Sequence, residues 1–91
     1  MAEVLAEFSN LIAGDEAVYQ ARACGGPTDH GSWEGWIEFL PVGGGPAVRS
    51  PRETTQPNHG DLEYWAGGLS TVYLEGALER AEHPAVPTAN G

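Results

Sequence analysis

Ser32-Trp33-Glu34-Gly35-Trp36-Ile37-Glu38-Phe39-Leu40 is the stretch on which the fold turns. Two tryptophans, an isoleucine and a phenylalanine fall within it. Side chains alternate along an extended chain, so Trp33, Ile37 and Phe39 share one side while Glu34, Trp36 and Glu38 share the other. With turn formers beyond both ends, the segment reads as the central strand of a small antiparallel sheet.

Upstream, Val18–Cys24 alternates in the same way, with Tyr19, Ala21 and Ala23 opposed to Val18, Gln20 and Arg22, and reads as a first strand. Gly25–Gly31 between the two is a loop rich in turn formers. Downstream, Gly43-Gly44-Gly45-Pro46 is a second turn and Ala47–Ser50 a short third strand. Pro51 cannot donate to a ladder, which places that strand at an edge. Arg52–Asn58 is polar and without period; it either continues the third strand or leads to the helices. Asn58 to Asp61 supply N-caps for a helix over Leu62–Ala66, which Gly67-Gly68 interrupts. Ser70 or Thr71 caps a second helix running through Ala81, with Leu74, Ala77, Leu78 and Ala81 on one face.

At the N-terminus, Val4, Leu5, Phe8, Leu11 and Ile12 follow helical spacing, which predicts a helix over Ala2–Ile12. It either packs on its own sheet or reaches a second subunit as an arm. From Glu82 the chain is rich in Pro, Ala and Gly and is expected to be a disordered tail, His83 included. The expected fold is therefore one α+β domain over residues 1–81: an N-terminal helix, a three-stranded antiparallel sheet and two short C-terminal helices.

Charge narrows the function. The 91-residue chain carries a formal net charge of −9, with Arg22, Arg49, Arg52 and Arg80 as its basic residues and no lysine. Binding to nucleic acid rests on several Lys/Arg–phosphate contacts, so a nucleic-acid partner is not expected. An acidic chain is repelled by anionic lipid, and no apolar run approaches the eighteen or so residues that span a bilayer. Cys24 is the lone cysteine, which excludes an internal disulfide; with no signal-peptide pattern at the start, a cytoplasmic location is expected.

Catalytic chemistry finds little footing. Glu34 and Glu38 share a strand face but stand about 13 Å apart, beyond the roughly 5–9.5 Å of a working carboxylate pair. Cross-strand ion pairs with Arg22 and Arg49 are the expected use of them. Cys24 with His30 or His59 lacks any signature of a nucleophilic site, and Cys24, His30, His59 and Asp61 lack zinc-ligand spacing. The triple glycine lacks the helix and lysine of a phosphate loop. No cofactor and no metal are expected.

Recognition is what remains. C-terminal helices can cover only one face of the sheet, and Trp36, flanked by Glu34 and Glu38, points from the other. Trp36, Arg49, Arg52, Glu53, Thr55 and Gln56 are the expected binding residues of a non-catalytic protein-interaction or ligand-binding module, expected to be homodimeric. Two alternatives compete: a small enzyme using Glu34 or Glu38 beside Arg52 and His59, and an antitoxin-like regulatory subunit. Trp33-Glu34-Gly35-Trp36-Ile37-Glu38-Phe39, Arg52-Glu53-Thr54-Thr55-Gln56-Pro57 and Tyr73-Leu74-Glu75-Gly76-Ala77-Leu78 resemble motifs of a family of small, uncharacterised bacterial proteins. The three motifs fall between about Val18 and Ala81. That resemblance implies no activity and transfers no catalytic residue. The strand–strand–strand–helix order also resembles antitoxins of the HicB type at the level of fold alone.

Overall fold

Residues 2–83 are described by the computed structural model as five strands followed by two helices. The strands are β1 (Glu3–Ala13), β2 (Val18–Pro27), β3 (Trp33–Pro41), β4 (Val48–Arg49) and β5 (Thr54–Gln56); the helices are α1 (His59–Gly67) and α2 (Thr71–Glu82). All strand pairings are antiparallel, in the order β1-β2-β3-β4, with β5 also on β3. The segment around Trp33–Leu40 is the hub, paired with β2 along its length on one side and with β4 and β5 on the other.

The first element corrects the sequence reading. Residues 3–13 form an 11-residue strand, not a helix. Two irregularities, between Val4 and Ala6 and between Glu7 and Leu11, interrupt its register with β2. The first puts one extra residue in β1 and shifts its inward side chains off strict alternation; the second puts two extra residues there and leaves the alternation in phase. Leu5, Ala6, Phe8 and Ile12 consequently meet the core, and Val4 and Leu11 are left exposed. Steps of three and four between Leu5, Phe8 and Ile12 imitate a helix, and nothing in the composition marks the bulges. The sheet is also wider than the three strands expected, because β1 joins one edge and the chain after Pro51 returns to β3 as β5.

The helices follow their caps. Asn58 accepts from the Asp61 N–H at the start of α1, and Ser70 accepts from the Tyr73 N–H at the start of α2. Such side-chain caps are each worth about 1 kcal/mol. Gly67 and Gly68 separate the two as expected. α2 runs to Glu82 and His83 caps it, so the ordered chain extends past Ala81; the rest of the expected tail, residues 84–91, lies outside the described residues.

Both helices lie on one face of the sheet. Tyr19, Ala21 and Ala23 of β2 and Ile37 and Phe39 of β3 meet Ala66 of α1 and Leu74, Ala77 and Leu78 of α2, all buried. Phe39 meets Tyr19 edge to face with ring centres 6.2 Å apart. Gly25 and Gly35 oppose each other across β2 and β3. A Cβ on Gly25 would stand 2.6 Å from a Leu62 methyl, and one on Gly35 would stand 2.6 Å from the Trp65 ring. The paired glycines thus open a bare window in the sheet into which α1 presses two side chains. Among the described residues no helix is long and apolar enough to cross a membrane.

Candidate functional site

The opposite face of the sheet carries no helix. Strand alternation and register place Val4, Glu7 and Leu11 of β1 on it, with Val18, Gln20, Arg22 and Cys24 of β2, Glu34, Trp36, Glu38 and Leu40 of β3, and Arg49 of β4. Val4, Leu11 and Val18 are exposed. Arg22 donates through Nε and a terminal nitrogen to one Glu38 oxygen at 3.1 and 2.9 Å, the cross-strand pair the sequence implied. Burial pushes the Glu38 carboxyl up, but the hydrogen bonds and charge of Arg22 outweigh it and hold the group below the usual carboxylate range. Arg49, the other expected partner, sits opposite Glu38 in register yet stacks on the Trp36 indole, with its guanidinium carbon 3.9 Å from the ring centre.

That stack overturns the expectation of an uncovered Trp36. The indole is only 4% exposed, sealed against the sheet under Arg49. Its Nε1–H has no acceptor in bonding geometry among the described residues, though its dipole still helps keep Glu38 ionised. Arg49 itself is exposed, so the face presents a cation where an aromatic was expected. Cys24 lies beside this pair, opposite Trp36 in register. Burial, and then the Glu38 charge, push its thiol up to about 11, so at neutral pH it is an un-ionised thiol and a poor nucleophile.

Arg52–Gln56 separates into a structural part and an accessible part. Ser50 is buried; its backbone N–H donates to the Ile37 carbonyl and its hydroxyl accepts from the Ile37 N–H. The Glu53 N–H donates to the Gly35 carbonyl. Its carboxylate, 4% exposed, accepts from the Tyr73 hydroxyl at 2.5 Å and from Arg80 at 2.6 and 3.1 Å. Burial, reinforced by this carboxylate, pushes the Tyr73 hydroxyl up to about 12. Glu53 therefore ties α2 to the edge of the sheet. Gln56 donates to the Thr54 hydroxyl and pairs with Trp33 in the ladder. Thr55 is exposed opposite Glu34, and Arg52 is exposed.

At the Glu34 end of the helix-free face lies an open cleft of about 400 Å³, lined by Pro27, Thr28, Asp29, His30, Glu34 and Arg52. It brings together Glu34 and Arg52, two of the groups the enzymatic alternative required. Glu38 is engaged by Arg22, and His59 sits elsewhere, within 3.0 Å of Glu3 and 3.5 Å of Glu63 and edge-on to Trp33.

His83 is engaged rather than adrift. Its Nε2 meets an Asp15 carboxylate oxygen at 2.6 Å, and the Asp15 N–H donates to Glu82. Asp15, Glu82 and His83 offer ligand atoms within 4.8 Å of one another, but this cluster is exposed and its own hydrogen bonds account for the geometry. The hydrogen bond and charge of Asp15 raise the His83 pKa above the usual histidine range. A cation here also suits the C-terminus of α2. Because the folded value is raised, the clasp contributes fully below about pH 6.5 and is lost as pH rises through the raised value. The difference in melting temperature between wild type and His83→Gln is expected to be largest near pH 5.5 and to vanish by about pH 9. A difference independent of pH would show that the imidazolium does not hold the clasp.

Compared with protein-family models, curated proteins and solved structures, the chain matches none of them. Function is therefore read from its own geometry. The sequence placed Arg22, Glu38, Arg49 and Trp36 on one face. It did not reveal the stacking of Arg49 on Trp36, the cleft beside Pro27–His30, or the anchoring role of Glu53. No sequence signal marks the last, because Tyr73 and Arg80 lie twenty and more residues further along the chain.

Proposed function

We propose that the protein is a non-catalytic binding module that works as a homodimer joined through its helix-free sheet faces. The observation that carries this is a continuous sheet face that the chain's own helices leave open. Exposed Val4, Leu11 and Val18 lie on it, and Arg49 is stacked on the Trp36 indole. Charge favours a second copy as the occupant. The chain is at −9, but Glu7, Glu34 and Glu38 are nearly balanced on this face by Arg22 and Arg49. Two like-charged copies repel least through their most neutral surface. Three or four strands of this length offer roughly 500–600 Å² of projected area per copy. That matches the low end of specific interfaces, so the expected dissociation constant is on the order of micromolar.

Leu11→Asp tests the reading because Leu11 is 56% exposed and its loss leaves the core intact. Sedimentation of the full chain from about 1 to 500 µM is expected to show a monomer–dimer equilibrium, weakened at least tenfold in the variant, with equal melting temperatures when both are measured well below the dissociation constant. A wild type that stays monomeric throughout, or a variant with the wild-type equilibrium, defeats the proposal. Trp36→Ala does not serve here, because it removes a buried side chain as well as the support for Arg49.

A further inference from the structure

We infer that the cleft between the Pro27–Ser32 loop and Arg52 binds a small zwitterion carrying an ammonium and a carboxylate on the same carbon, the chemistry of a free α-amino acid. Both walls are fixed by backbone hydrogen bonds. On one side, Thr28 N–H donates to the Ser32 carbonyl at 2.8 Å, the two hydroxyls bond to each other at 2.8 Å, and the His30 N–H donates to the Thr28 hydroxyl at 3.2 Å. Gly31, at a φ of 82°, closes that turn. On the other side, Arg52 lies between Ser50 and Glu53, each bonded through its backbone N–H to β3. Glu34 lines the cleft with them, half-buried. At about 400 Å³ the cleft is of the size that holds a small molecule.

The distribution of unpaired charge selects the ligand. Arg22 and Arg80 pair with carboxylates, as do His59 and His83, and Arg49 is stacked on Trp36. Among the described residues, Asp29, His30, Glu34 and Arg52 make no side-chain hydrogen bond or ion pair, yet all four line one cleft. Arg52 forms no ion pair with Asp29 or Glu34 although all three line the same cleft, which leaves both signs of charge open to a ligand. A simple anion would meet Arg52 but also two carboxylates in a chain of charge −9. A simple cation would leave the guanidinium unanswered and repelling it. A molecule with a carboxylate toward Arg52 and an ammonium toward Glu34 and Asp29 answers both signs at once. Sheet-face dimerisation and this site are separate properties, read by separate measurements.

The test is NMR titration of the ¹⁵N-labelled full chain with the twenty free L-α-amino acids added singly. At least one is expected to give saturable shifts confined to residues 28–34 and 51–53, with a dissociation constant of about 10 mM or tighter. Its N-acetyl form, which lacks the ammonium, and its C-terminal amide, which lacks the carboxylate, are each expected to bind at least tenfold more weakly. Glu34→Gln and Arg52→Gln are each expected to weaken it at least tenfold with an unchanged melting temperature. Absence of saturable shifts with any amino acid overturns the inference. So does an amide that binds as well as the free acid, which would mark a peptide N-terminus as the ligand, or an N-acetyl form that does so, which would mark a plain carboxylate.

Discussion

Phe39→Ala is expected to cost about 3–5 kcal/mol of stability, the range for deleting a fully buried aromatic ring. Phe39 is 0% exposed, lies on the strand that pairs with three others, and meets the Tyr19 ring edge to face. Removing the ring takes away its transfer free energy, the aromatic contact and the support beneath the helices in one step. The surrounding structure cannot collapse easily into the space, because the neighbouring positions Ala21 and Ala23 on β2 are too small to fill it. A domain of this size has about 5–15 kcal/mol in all. The melting temperature is therefore expected to fall by on the order of 20 °C, measured by calorimetry or circular dichroism. Val42→Ala, at a residue 60% exposed, serves as the control and is expected within about 0.5 kcal/mol of wild type. A Phe39→Ala loss below about 1 kcal/mol would mean that the core is not centred on this strand.

Glu53→Ala is expected to cost about 2–3 kcal/mol at neutral pH, below the full penalty for breaking a buried pair because Arg80 is 46% exposed and can return to water. The Tyr73 hydroxyl loses a charge-assisted acceptor at 2.5 Å and is half-buried with no replacement. The pH dependence separates this network from simple packing. Burial pushes the Glu53 carboxyl up, but the Arg80 and Tyr73 hydrogen bonds outweigh it, so the folded group titrates below its ordinary value. Its contribution is present above about pH 4.5 and is lost as pH falls through the lowered value. Urea unfolding is expected to show a large gap between wild type and Glu53→Ala at pH 7 that shrinks markedly by about pH 3. An equal gap at both values would assign Glu53 a packing role alone.

These two residues also show what was legible from residue order. Phe39 was readable, since period-two alternation from Trp33 to Phe39 survives intact in a strand paired on both sides. Helix α2 was readable because Ser70 caps it locally and Leu74, Ala77 and Leu78 repeat at helical spacing. Glu53 was not, because its partners Tyr73 and Arg80 come from a helix twenty and more residues later, and the segment Arg52–Gln56 has no period. The N-terminal strand was misread for a related reason: the bulge between Val4 and Ala6 sets Leu5 and Phe8 three apart, the even step to Ile12 completes a helical spacing, and only pairing with β2 decides the outcome. For the candidate site, alternation put Trp36 and Arg49 on one face, but whether a cation folds down over an indole depends on a side-chain choice that spacing does not encode.

The bare patch at Gly25 and Gly35 also ties the position of α1 to the alignment of β2 on β3. A one-residue slip of β2 along β3 turns the hydrophobic set of β2 to the wrong side of the sheet. A two-residue slip keeps the sides but sets Gly25 against Ile37 or Trp33, and the side chains of Leu62 and Trp65 lose their seat. The seat of Leu62 and Trp65 on the sheet therefore belongs to one alignment of the hairpin, and slipped alignments lack that contact.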